Sequence, residues 1–232
     1  MKNTIINRKV IKKIAGALGK LNERVVYVGG AVVSLYANDP AADDVRPTQD
    51  LDISMEIISV GELEKLRQEL TQKGFVQKSE DKVICRFRYD TIKVDVMATE
   101  QIGWAPANAW FKPGFQHLQE VKVDEQKIRI LPLPYFLATK LSAFKDRGKS
   151  EPRTSHDFED ITYLLDNRTD LVEEIAQSPN DVRKYLKEEF KTILADDTLK
   201  EAIYANLYYE TQESRFENII GKLKAIANSA DK

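Results

Sequence analysis

Cysteine occurs once in these 232 residues, at Cys85, and histidine twice, at His117 and His156. An intramolecular disulfide framework and a multi-thiolate zinc site are thereby excluded, and little is left for a histidine-rich metal centre. Long hydrophobic runs are missing too, since no stretch approaches the roughly 18 apolar residues of a membrane span. Lys2, Arg8, Lys9, Lys12 and Lys13 are scattered among short apolar pairs, which is not the continuous apolar segment of a signal peptide. An excess of one charge is also lacking: 35 Lys and Arg stand against 37 Asp and Glu, a formal charge of −2. No global cationic field exists to hold nucleic acid, so any such site is local. What is present, 42% apolar and 31% charged residues, describes a soluble chain expected in a reducing cytoplasm and away from membranes.

The apolar positions Val10, Ile11, Ile14, Leu18 and Leu21 recur at three- and four-residue intervals and predict a helix over 7–21. Val25-Val26-Tyr27-Val28 then reads as a strand ending at Gly29-Gly30, followed by a short helix over 31–36 and a loop over 37–48. Asp50 to Ile57 alternates strictly, with Leu51, Ile53, Met55 and Ile57 on one face and Asp50, Asp52, Ser54 and Glu56 on the other. A helix over 61–73 follows, with Leu63, Leu66 and Leu70 as its stripe. Segments 82–89 and 91–98 suggest one hairpin, and 120–123 with 127–131 a second. The composition shifts at Leu131–Pro134, and everything beyond reads helical. The expected domains are therefore 1–131 and 132–232.

Chemistry concentrates in Val28-Gly29-Gly30 and, after a loop with Arg46 and Thr48, in Asp50-Leu51-Asp52. Residues i and i+2 of a strand point the same way with Cα atoms about 6.5 to 7 Å apart, so two carboxylates can converge on one divalent cation or a pair. Asp95, on a neighbouring predicted strand, makes a two-metal site geometrically possible. The glycines permit close backbone approach to phosphates, and a following helix would present free N–H groups to an anion. In-line nucleotidyl transfer is the chemistry this arrangement favours.

At these residues the chain resembles the nucleotidyltransferase superfamily, whose pattern of Gly-Gly, Asp-x-Asp and a later third acid is met in order. The spacer of 19 residues from Ala31 to Gln49 is longer than the compact motif. Arg46-Pro47-Thr48-Gln49-Asp50-Leu51-Asp52 is similar to the Arg-x-Ser/Thr-x-Asp-Leu-Asp signature of the AbiEii-like branch, which includes toxins of toxin–antitoxin and abortive-infection systems. Leu137-Ala138-Thr139-Lys140, Arg147 and His156-Asp157-Phe158-Glu159-Asp160-Ile161 resemble that branch's second half, with His156 in place of the usual Lys or Arg.

The resemblance implies an α/β (α+β) fold, a nucleotidyltransferase-like mixed sheet flanked by helices and followed by a helical C-terminal domain. It implies Mg²⁺- or Mn²⁺-dependent transfer of an NMP from an NTP to an acceptor hydroxyl, with tRNA or protein as acceptor and an antitoxin as partner. Asp50, Asp52 and Asp95 would bind metal; Gly29, Gly30, Thr48, Lys140 and Arg147 would contact the nucleotide; Asp157 or Asp160 would activate or position the acceptor. Two other readings stay open, a small-molecule nucleotidyltransferase of the antibiotic-modifying kind and a catalytically silent binding protein. Each residue also has a plainer explanation. The acids of the alternating strand suit a solvated face. Lys140 could snorkel from an amphipathic helix, and Asp157 and Asp160 suit a first helical turn behind a Ser155 cap. Trp104, Trp110, Phe111 and Phe115 could stack a base, although packing is the expected role.

Overall fold

The computed structural model describes residues 2–48 and 50–229. The chain is α+β and divides into two compact units, Met1–Ser34 with Arg46–Pro132, and Leu35–Val45 with Leu133–Lys232.

The first unit is built on a six-stranded mixed sheet: β1 (Val26–Val28), β2 (Asp50–Met55), β3 (Arg86–Tyr89), β4 (Ile92–Ala98), β5 (Gln119–Val123) and β6 (Gln126–Ile130). The order is β3-β4-β2-β1-β6-β5. β1 pairs antiparallel with β2 and parallel with β6, β2 runs parallel to β4, and β3/β4 and β5/β6 are antiparallel hairpins. Each hairpin closes through two residues, Asp90-Thr91 and Asp124-Glu125, and the aspartate that opens each turn has φ 52°. Aspartate tolerates this left-handed backbone better than most side chains. Leu51, Val94 and Phe87 face one another across β2, β4 and β3 and are fully buried, as are Ile53 and Val96 one row further along. The intervening residues point to the opposite face, so the strand alternation legible in the sequence is what sorts core from acids.

Helix α1 (Lys2–Leu18) buries Ile11, Ile14, Ala15 and Leu18, and α2 (Val60–Gln72) buries Leu63, Leu66 and Leu70. Ser59 caps α2 by accepting from Glu62 N, while the Glu62 carboxylate accepts from Ile58 N at 2.9 Å. Helix α3 (Phe111–Gly114) is a single turn within the Gly- and Pro-bearing stretch.

The second unit is helical: α4 (Leu133–Arg147), α5 (His156–Asn167), α6 (Leu171–Ala176), α7 (Asn180–Ala195), α8 (Asp197–Ala205) and α9 (Gln212–Ala227). Phe136, Phe158, Leu164, Leu186, Phe190 and Leu223 form its buried centre. The excursion Leu35–Val45 joins this unit through Tyr36, stacked on Phe136 with ring centroids 4.5 Å apart, and through Asn38 and Asp39, whose N–H groups donate to Asn167 O. Among the described residues, no helix is long and apolar enough to cross a membrane.

Candidate active site

The register of the sheet places the acidic residues. Asp52 of β2 lies directly opposite Val28 of β1 on one side and Asp95 of β4 on the other, and Asp95 lies directly opposite Arg86 of β3. Residues paired in this way share a face, so Arg86, Asp95 and Asp52 form one row running toward the glycine turn. Asp50, two residues earlier on β2, shares that face and is paired with Lys93.

Arg86 closes on this row. Its Nε donates to Asp95 Oδ1 at 2.7 Å and its Nη2 to Asp95 Oδ2 at 2.6 Å, while the same Nη2 reaches Asp50 Oδ2 at 3.2 Å. The hydrogen bonds to Asp95, followed by the charges of Asp95 and Asp50, hold the guanidinium above its ordinary range. Carboxylate oxygens of Asp50 and Asp95 therefore converge on a common point, and hard oxygens on adjacent strands are the donors that Mg²⁺ and Mn²⁺ take. Among the described residues, however, no group of three or more His, Cys, Asp or Glu is arranged to hold a metal ion. The cation that Asp95 faces here is Arg86.

Gly29 connects the turn to the acids. It has φ +73°, and a Cβ added there would lie 1.8 Å from Asp52 Oδ2, so the Asp52 carboxylate rests against the glycine backbone. At Gly30 a Cβ would lie 2.4 Å from Arg46 Nη2 and 3.4 Å from Thr48 Oγ1. The helix expected over 31–36 is a 3₁₀ segment, Gly30–Leu35, in which β-branched Val32 and Val33 are buried. So short a segment carries little macrodipole, and the positive charge beside the glycines comes from Arg46 instead.

In the second unit α4 and α5 bring four of the expected residues together. Lys140 Nζ lies 2.7 Å from Asp160 Oδ2 and 3.3 Å from Asp157 Oδ1, and all three side chains are buried. Arg147 adds a fork on Asp157, with Nε to Oδ2 at 2.7 Å and Nη2 to Oδ1 at 3.0 Å, its own side chain mostly exposed. Burial raises the Asp157 carboxyl, but the Arg147 hydrogen bonds and the Lys140 charge outweigh it and hold the group below its ordinary range. Lys140 does not snorkel. Ser155 caps α5, its hydroxyl accepting from Phe158 N at 3.4 Å, and so fixes the first turn, which carries Asp157, with Asp160 in the turn that follows.

Other residues singled out in the sequence have partners outside the acidic row. Trp104 lies tilted against Phe87, ring centroids 5.8 Å apart, and donates to Glu64 Oε1 at 3.1 Å. Cys85 is buried, and burial followed by the Asp95 charge pushes its thiol up to about 11. His156 is exposed, with Nδ1 3.4 Å from Glu159 Oε2. At the end of α4 Lys145 pairs with Glu189 and Arg147 with Asp157, and Arg153, between α4 and α5, pairs with Glu201. Sequence patterning alone does not single out Arg86 and gives Arg46 no role. The signal for Arg86 was available: a two-residue turn at Asp90-Thr91 puts it opposite Asp95.

The family model of the nucleotidyl transferase AbiEii toxin, Type IV TA system, matches residues 16–227. No curated protein matches the chain. A solved structure, an antigenic nucleotidyltransferase-like protein from Paracoccidioides brasiliensis, superposes with a TM-score of 0.49 at 17% identity, covering 86% of this chain and 92% of that one.

Proposed function

Because the chain belongs to the AbiEii nucleotidyl transferase toxin family, we propose that it transfers a nucleoside monophosphate from an NTP to a hydroxyl of a tRNA or protein acceptor, releasing pyrophosphate. The observation that carries this reading is the contact between the two halves of the motif, the Asp52 carboxylate seated on Gly29. A phosphate approaching the glycine backbone there meets the acids at once. Asp50 and Asp52 would hold Mg²⁺ or Mn²⁺, which when bound offsets charge on the phosphates and the leaving pyrophosphate. Gly29 and Gly30 admit the phosphates, and Arg46 and Thr48, both against Gly30, supply a cation and a hydroxyl.

In the second unit Asp157 holds Lys140 and Arg147, and Asp160 holds Lys140; the family resemblance would give these two cations to the nucleotide. A carboxylate kept ionised below its ordinary range is a weak proton acceptor near neutrality. Asp157, bound on both oxygens by Arg147 and on one by Lys140, would orient these cations and position the acceptor. Membership of a type IV toxin–antitoxin family supports an antitoxin partner and a cytoplasmic setting.

The test is incubation of the purified chain with each α-³²P-labelled NTP, Mg²⁺ or Mn²⁺, and either total tRNA or cell lysate, beside an Asp50→Asn/Asp52→Asn variant. Label moved only by the wild type supports the proposal and identifies the acceptor class. Label on a drug-like acceptor alone would favour a small-molecule enzyme, and metal-dependent NTP binding without transfer would favour a silent binding protein.

A further inference from the structure

Two carboxylates on neighbouring strands repel unless a cation lies between or beside them. Asp95 and Asp52 are directly paired, and the charge that compensates Asp95 comes from within the chain. An outer partner that orients a metal-binding carboxylate hydrogen-bonds it, and a cation that forks on both of its oxygens also competes with a metal for the same negative charge. Arg86 takes both oxygens of Asp95 in a parallel fork, at 2.7 and 2.6 Å, and extends the same Nη2 to Asp50. Half-buried, and tied to the sheet through β3, the guanidinium stands where a shared metal ion would draw on the same oxygens.

We propose that Arg86 is a resident cation that competes with the divalent metal for Asp95 and Asp50. The acids are then charge-compensated without metal, and Asp95 joins the ligand set only when Arg86 releases it. This inference rests on the metal-dependent reading above. Its consequence is reciprocal: whatever draws Arg86 away from Asp95 tightens metal binding, and metal loosens Arg86 by the same factor. Two residues along β3, Arg88 makes a similar fork on Asp81, at 2.8 and 2.6 Å, outside the proposed site. It supplies a control of equal charge.

The experiment measures Mn²⁺ binding to the full-length chain without nucleotide, from the electron paramagnetic resonance signal of free Mn²⁺. Arg86→Gln is expected to tighten binding about five-fold or more, the lower end of ordinary coupling between competing ligands. Arg88→Gln should produce a clearly smaller change, and Arg86→Gln/Asp95→Asn should lose the gain. Arg86→Lys, which keeps the charge but not the fork, should tighten binding to a lesser degree and carries the test if the Gln variant does not fold. Unchanged or weaker binding in a folded Arg86→Gln variant overturns the proposal, because an orienting arginine would produce that sign. If no Mn²⁺ binding is lost in Asp50→Asn/Asp52→Asn, the metal-dependent reading itself fails and this inference falls with it.

Discussion

Gly29 and Gly30 are adjacent and alike in sequence, yet the structure assigns them different tolerances. At Gly29 an added Cβ meets Asp52 Oδ2 at 1.8 Å with the backbone at φ +73°, so both strain and collision oppose any side chain. At Gly30 the nearest atom, 2.4 Å away, is the far end of the flexible Arg46 side chain. Gly29→Ala is therefore expected to cost about 1–2 kcal/mol of stability from the left-handed backbone. Displacing Asp52 by about 1 Å should also lower transfer roughly 100-fold. Gly30→Ala should be milder on both counts, as thermal unfolding and label transfer will show; the reverse ranking would mean that Asp52 does not depend on the Gly29 contact. Asp50, Asp52 and Gly29 were legible because strand alternation and a glycine turn are local patterns. Arg86 is legible only through the turn length, because its relation to Asp95 lies in the register between strands. That register follows from the length of the Asp90-Thr91 turn, which the flanking residues suggest without forcing.

Among elements, the sequence pattern located the buried faces better than the ends. The first helix was expected over 7–21, but it starts at Lys2 and gives way to a 3₁₀ segment, Gly19–Arg24. Its first turns carry the exposed Ile5 and Ile6, so they extend the helix without an apolar stripe to reveal it. Strand pairing over 82–89 contracts to Arg86–Tyr89, where β4 supplies partners, and Arg86 N donates to Val83 O in a turn. Helix α5 behaves otherwise, since its start was legible from Ser155 alone, a cap whose hydrogen bond is local. Ser155→Ala is expected to destabilise the chain by about 1 kcal/mol, or roughly 2–4 °C in Tm for a chain of this size. Gly148→Ala should cost more, because its Cβ would lie 2.2 Å from Ser155 Oγ and 2.8 Å from Phe144. Differential scanning calorimetry decides between this order and its opposite, which would show that the segment between α4 and α5 yields and the cap matters more.

Over the whole molecule, a formal charge of −2 arises from acids and bases that meet in local groups, including Arg86 with Asp50 and Asp95, Lys140 and Arg147 with Asp157, and Arg215 with Asp166. The last two groups belong to the helical unit, and they respond to pH with opposite sign. Asp157 is held below its ordinary range, so its contribution to stability is present above the unfolded carboxyl value of about 4 and is lost as pH falls through the folded one. Asp166 is raised, by burial that outweighs Arg215, so its contribution is greatest below about pH 4 and declines as pH rises through the folded value. Asparagine mimics the neutral acid in both places. Asp157→Asn should therefore destabilise most at pH 7 and converge on the wild type in acid. Asp166→Asn should start close to the wild type at low pH and gain on it toward neutrality, although the bond from Arg215 Nη1 to Asp166 Oδ2 at 2.8 Å suggests the opposite. Urea midpoints of the three proteins between pH 3 and 7 give the comparison. Parallel curves would mean that neither carboxylate differs in proton affinity between folded and unfolded chains, and that these ion pairs do not set the acid limit of the helical unit.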